Sequence, residues 1–237
     1  MASEVERGAT VIGDPEIIDY VNRIVRKLTP TVTLRNPLTI KLLSGPNAYA
    51  IALPGGFIDV NTRLIMDAVN EAELAGVIAH QIGHLVLWPL TPTPPETPMT
   101  GAIPLLFMGG GGLCVRGTPG AGLAMPMGYL ARSSEGEVKA GDLGLGYMES
   151  AGYDPGALAD FYERIPKPKA GTVSRVLDLG LTIPETTRTR AEAIRNARMF
   201  VVTTSQFQEI QRRTAGLPSP AGAIRDGQPA LLRKDGQ

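Results

Sequence analysis

The 237-residue sequence predicts a mainly helical α+β domain, with a small sheet packed beside a helix that carries both of the chain's histidines. Three observations lead there. Several runs repeat their apolar residues at helical spacing and start at recognisable caps. A single stretch, residues 38–60, alternates like strand and is broken by Pro54-Gly55-Gly56. Between these types of text lies the most apolar helical run, which contains His80 and His84 four residues apart.

Taken in order, Asp14-Pro15-Glu16 reads as N-cap, first-turn proline and first-turn acid. Ile17, Ile18, Tyr20, Val21, Ile24, Val25 and Leu28 then recur at helical spacing, so an amphipathic helix spans 15–28. Strands are expected at 38–43, 48–53 and 57–60, the last two joined by a tight turn at the Pro-Gly-Gly. A short helix is expected over 62–69. Asn70 caps a longer one, with Glu71 and Glu73 in its first turn, and Pro89 stops it after Trp88. Further helices are expected from Ser134 to about residue 151, from Asp154-Pro155 to Ile165, and over 185–200. The last alternates Arg and Glu and reads as a solvated face. The expected organisation is one domain over 1–214 and a polar tail over 215–237.

Residues 89–128 break the pattern. Six prolines fall between Pro89 and Pro104, and Gly109 to Gly112 is an unbroken glycine run. A loop of this length inside a compact domain is uncommon. It is either a disordered excursion or a lid or membrane-contacting hairpin; the second reading draws on Leu105, Leu106, Phe107, Met108 and the methionines near its end.

Net charge is zero, with 23 residues of each sign, which gives no support to a nucleic-acid partner. Cys114 is the single cysteine, so no disulfide framework exists. The polar start shows no cleavable signal peptide, and no apolar run approaches the ~20 residues of a membrane span.

Chemistry concentrates in His80-Gln81-Ile82-Gly83-His84. This is H-E-x-x-H with glutamine for glutamate. On a helix, residues i and i+4 stack on one face, so both imidazoles can address one metal. The glutamate between them ordinarily takes a proton from metal-bound water. Gln81 keeps the shape of that side chain and cannot act as the base. A third ligand is required. On spacing alone Glu135, Glu137 and Asp142 compete for the role.

Longer segments carry a resemblance. Asn47 to Thr62 (N-A-Y-A-I-A-L-P-G-G-F-I-D-V-N-T), Asn70 to His80, and Leu143-Gly144-Leu145-Gly146-Tyr147-Met148 followed by Ala151-Gly152-Tyr153-Asp154-Pro155 are similar to the HtpX/BepA-type zinc metallopeptidases. These are gluzincins related to the CAAX prenyl proteases. The resemblance covers roughly residues 15–198 and implies a zincin-like metallopeptidase domain holding one zinc ion on His80, His84 and Glu137. Position 81 would be the general base. The strand Ala50-Ile51-Ala52-Leu53 and the Pro54-Gly55-Gly56 turn would bind extended polypeptide by strand addition. The implied setting is the bacterial cell envelope, periplasmic or membrane-associated, and the implied substrates are unfolded or misassembled envelope proteins.

Three positions depart from the family pattern. Gln81 replaces the base. Gly141 stands where the E-x-x-A-D motif has its aspartate, which orients a ligand histidine; its loss predicts zinc held weakly or not at all. Ile183 stands where a His-Pro pair is expected. Gln81 alone has the form of a deliberate inactivation, whereas Gly141 and Ile183 have the form of natural drift. The expectation is therefore a metalloendopeptidase fold with impaired hydrolysis, the alternative being a natural pseudo-peptidase that binds polypeptide without cutting it.

Overall fold

The structure is a computed structural model and describes residues 9–30, 32, 36–45, 49–53, 55–87, 134–165 and 184–217. Pro54, Trp88, Ser133 and Ile183 lie outside the described residues, as do the 89–128 segment and all but the first three residues of the expected tail.

A mixed four-stranded sheet and seven helices make up the described chain. Strand β1 (Thr10–Val11) leads into helix α1 (Pro15–Leu28). There the Asp14 carboxylate accepts from the backbone N–H groups of Glu16 and Ile17, and the stripe from Ile17 to Leu28 is buried. Strands β2 (Thr39–Ser44), β3 (Ala50–Leu53) and β4 (Phe57–Asn61) follow, then α2 (Thr62–Asp67) and α3 (Glu71–Leu87). After the undescribed segment come α4 (Ser134–Ser150), α5 (Gly156–Arg164), α6 (Glu185–Arg195) and α7 (Ser205–Ala215).

The sheet order is β1-β2-β4-β3. β3 and β4 form the expected hairpin, antiparallel with Ala52 opposite Ile58. Its turn needs glycine: Gly55 and Gly56 both have φ near 91°, and a Cβ on Gly56 would come within 2.6 Å of the Pro37 carbonyl. β4 then inserts beside β2 in parallel, which leaves β3 as the sheet edge.

α3 is the axis of the molecule. Every residue from Glu71 to His84 is buried, so its apolar text wraps all sides instead of forming one stripe. It packs against α4, α5, β3 and α1. The mainly helical α+β architecture with a small sheet beside the histidine helix is thus as the sequence predicts.

Two expectations change. The helix expected over 185–200 ends at Arg195, because Val201 is drawn into a parallel bridge with Tyr153: its N–H reaches the Gly152 carbonyl at 2.8 Å. Helix α7 goes unassigned in the sequence reading. It is capped by Thr204 and held by Phe207 and Ile210, with Gln211 Nε2 donating to the Ala68 carbonyl at 2.7 Å.

Candidate metal centre

The centre is built where α3 and α4 cross, and glycine makes the crossing tight. A Cβ on Gly83 would lie 2.4 Å from the Ala140 carbonyl oxygen, and one on Gly144 would lie 3.0 Å from the His80 backbone nitrogen. The helices touch main chain to main chain. Glu137, Ala140 and Gly144 share the face of α4 that meets α3 (positions i, i+3 and i+7). Glu137 therefore arrives over the two histidines with little distance to span.

The three side chains converge. His80 Nε2 is 3.1 Å from Glu137 Oε2 and 3.1 Å from His84 Nε2, and His84 Nε2 is 3.3 Å from the same carboxylate oxygen. All three residues are buried, Glu137 with 1 % of its surface exposed. These spacings suit a small tetrahedral cation. Ligand atoms about 2.0–2.1 Å from zinc at tetrahedral angles stand roughly 3.3 Å apart. Three lone-pair donors turned toward one point in a dry interior repel unless protons or a metal lie among them. The residues present fit a zinc ion, and this group could hold one. Burial alone would raise the Glu137 carboxyl, but hydrogen bonding and charge attraction from His80 and His84 outweigh it and hold the pKa at about 2. Of the three acids that compete on spacing, Asp142 instead pairs with Arg190 at 3.0 Å, and exposed Glu135 pairs with Lys139.

Gln81 is turned toward the sheet. The Ala52 N–H donates to Gln81 Oε1 at 3.0 Å. Because a backbone N–H can face only the carbonyl end of an amide, this bond fixes which way the amide lies. It also fixes the phase of β3. Asn61 N–H reaches the Tyr49 carbonyl at 2.9 Å, so the odd residues 49, 51 and 53 bond to β4, while Ala50 and Ala52 direct their backbone groups outward from the sheet edge. Of the remaining positions singled out on this hairpin, Ala50 and Leu53 are buried, Ile51 is half-buried, Gly55 is exposed and Gly56 is buried.

The empty corner at Gly141 is filled from outside the motif. A Cβ there would meet Thr187 Cγ2 at 2.7 Å and Thr187 Oγ1 at 3.0 Å. Thr187, from α6, is fully buried. Sequence reasoning finds the missing aspartate but not its replacement. Thr187 lies 46 residues further on in the sequence and is found only through this tertiary contact.

A predominantly helical domain with two histidines of one helix and a glutamate of the next, beside an edge strand, fits a zincin-like domain. Comparisons with known proteins make this particular. Residues 17–88 match Peptidase family M48. The chain is 27% identical over 231 residues to the beta-barrel assembly-enhancing protease of Escherichia coli, covering 90% of this chain and 46% of that protein. It is 26% identical over 190 residues to the corresponding protease of Yersinia pestis, covering 76% of this chain and 39% of that protein. The resemblance to the HtpX/BepA-type zinc metallopeptidases is borne out. The chain spans less than half the length of these relatives. Among the described residues, no helix is long and apolar enough to cross a membrane.

Proposed function

We propose that this chain is a zinc metallopeptidase domain that engages unfolded or misassembled polypeptides of the bacterial envelope, and that its own hydrolysis is disabled at Gln81. The observation that carries the reading is the buried His80–His84–Glu137 triangle with its 3.1–3.3 Å edges. Zinc bound there would polarise a peptide carbonyl and make its bound water more acidic. The chain's own residues then divide the work. His80, His84 and Glu137 hold the ion, and the outward backbone groups of β3 align an extended polypeptide by strand addition. Gln81 occupies the position of the general base and cannot take the proton, a contribution worth about 10²–10⁴-fold in rate.

A periplasmic or membrane-associated setting rests on the relatives, which are named for enhancing beta-barrel assembly. Contact of the 89–128 segment with a membrane surface rests on its apolar residues. The organisation into one domain over 1–214 with that excursion, followed by a polar tail, belongs to the same proposal.

The pseudo-peptidase reading draws its own support from Thr187. A side chain packed into the space of the missing aspartate marks a site that has adapted around Gly141, not one altered at a single position. The test is metal content and cleavage of an unfolded substrate such as casein, measured on this chain and on Gln81→Glu. The expected result is bound zinc, no cleavage by the chain as it stands, and cleavage by the variant. Zinc without cleavage in Gln81→Glu would favour the pseudo-peptidase, and absence of metal from both would overturn the centre itself.

A further inference from the structure

Gln81 does more than fail as a base. Its carbonyl is tethered by the Ala52 N–H, so the Nε2 donor is the branch left for the site. In a helix of the H-E-x-x-H pattern the side chain after the first histidine would serve a ligand on bound zinc, and Gln81 stands at that position. A carboxylate held there would offer a negative acceptor. The tethered amide offers a neutral donor instead.

Charge changes in the same direction. Zinc on two neutral imidazoles and the Glu137 carboxylate carries one net positive charge; a second carboxylate at position 81 would cancel it, and Gln81 does not. A site with a net positive ion and a fixed N–H donor favours a ligand that brings negative charge and accepts hydrogen bonds. A peptide carbonyl is neutral, whereas the carboxylate at the end of a polypeptide supplies both oxygens and the charge. The edge strand adds direction. Ala50 turns its backbone N–H and C=O outward two residues from Ala52, so the residues preceding a terminal carboxylate can pair with it.

Resting on the metal-centre reading above, we infer that this site is a receptor for the C-terminal carboxylate of extended polypeptides, with Gln81 Nε2 as the donor that selects carboxylate over amide. The probe is acetyl-Ala-Leu-Ala-Leu with a free C-terminal carboxylate, set against the same peptide as its C-terminal amide and against acetate. Binding is followed by calorimetry on the zinc-loaded full chain and by the visible absorption of the cobalt(II)-substituted chain, metal content being measured first.

The acid peptide is expected to bind about tenfold or more tightly than the amide, to perturb the cobalt spectrum, and to outcompete acetate. Gln81→Glu and Gln81→Met are both expected to lose the preference for acid, the first by added charge and the second by loss of the donor. Equal binding of acid and amide by the metal-loaded chain, which needs no variant, would overturn the inference while leaving the metal centre standing. Acetate binding as tightly as the acid peptide would remove the role of β3 and with it the polypeptide receptor. Failure to bind metal at all would overturn the centre beneath both readings.

Discussion

The two ends of α3 each bury a carboxylate, and they treat it in opposite ways. At the N-terminal end, Glu71 accepts from Tyr153 Oη at 2.6 Å and Tyr20 Oη at 2.9 Å, and from the Thr204 hydroxyl. Donors from three separate parts of the chain close on it, and burial together with the neighbouring carboxylate pushes both phenols well above their usual range. At the other end, Glu137 Oε2 and the Nε2 atoms of His80 and His84 converge on one point. The first cluster is complete with protein groups alone and acts as a staple between α1, α3 and the segments before α5 and α7. The second is a set of donors that all face one point. A buried polar cluster in which hydroxyls close on a carboxylate stabilises a fold; one whose ligand-type atoms converge on a single point can hold a metal ion.

The contrast can be broken from either side. Glu71→Ala strands two buried phenols and the half-buried Thr204 hydroxyl and is expected to have the largest effect, a loss of about 3 kcal/mol in urea unfolding, because hydrogen bonds to charged groups contribute about 1.5–3 kcal/mol each and partial relaxation recovers some. Zinc affinity of the folded protein should be unchanged. Glu137→Ala should do the reverse. Removal of one of three protein ligands should weaken zinc by at least the roughly 100-fold upper range for loss of an outer partner, read by competition with a chromogenic chelator, with zinc no longer raising Tm. If Glu137→Ala left zinc affinity intact, the triangle would be a packing motif like the other end.

Gly141→Asp sharpens the comparison at intermediate size. Its new Cβ would press on Thr187 at 2.7 Å, and overpacking of this kind costs about 1–3 kcal/mol. A lowered Tm is expected in the single variant and largely recovered in Gly141→Asp/Thr187→Ala. Smallest is Tyr20→Phe, which removes one of three donors to Glu71 and should cost about 1 kcal/mol with no change in metal binding.

Much of this was legible in the sequence, for reasons that differ by element. The bounds of α1 are those expected, because its cap, proline and apolar stripe all lie within the element itself. The hairpin β3–β4 announces itself by glycines that adopt positive φ. By contrast, the parallel pairing of β2 with β4 depends on contacts across an intervening strand, and no local signal records it. α7 carries only Phe207 and Ile210 as buried apolar anchors, too few to make a period, and is held by side-chain bonds to α2 and Asp14. At the site, the spacing of His80 and His84 placed them on one face, and resemblance singled out Glu137 from its neighbours. The bond from Ala52 to Gln81 and the occupation of the Gly141 corner by Thr187 join residues 29 and 46 positions apart, which sequence periodicity cannot register.

The main-chain contact of Gly83 with Ala140 and of Gly144 with His80 sets how this protein can change over time. Where helices are spaced by side chains, each substitution at the crossing shifts the axes, and a three-point site loses its shape as its neighbours vary. Here the separation is set by peptide groups, and it holds for as long as positions 83 and 144 keep glycine. The frame that locates the three donors is thereby insulated from the residues that decide its chemistry. Side chains at positions 81 and 141 can then differ in chemistry while Gly83 and Gly144 hold the point at which the donors meet. A catalytic centre on such a frame can lose its reaction and keep its shape, which leaves it free to acquire a different use.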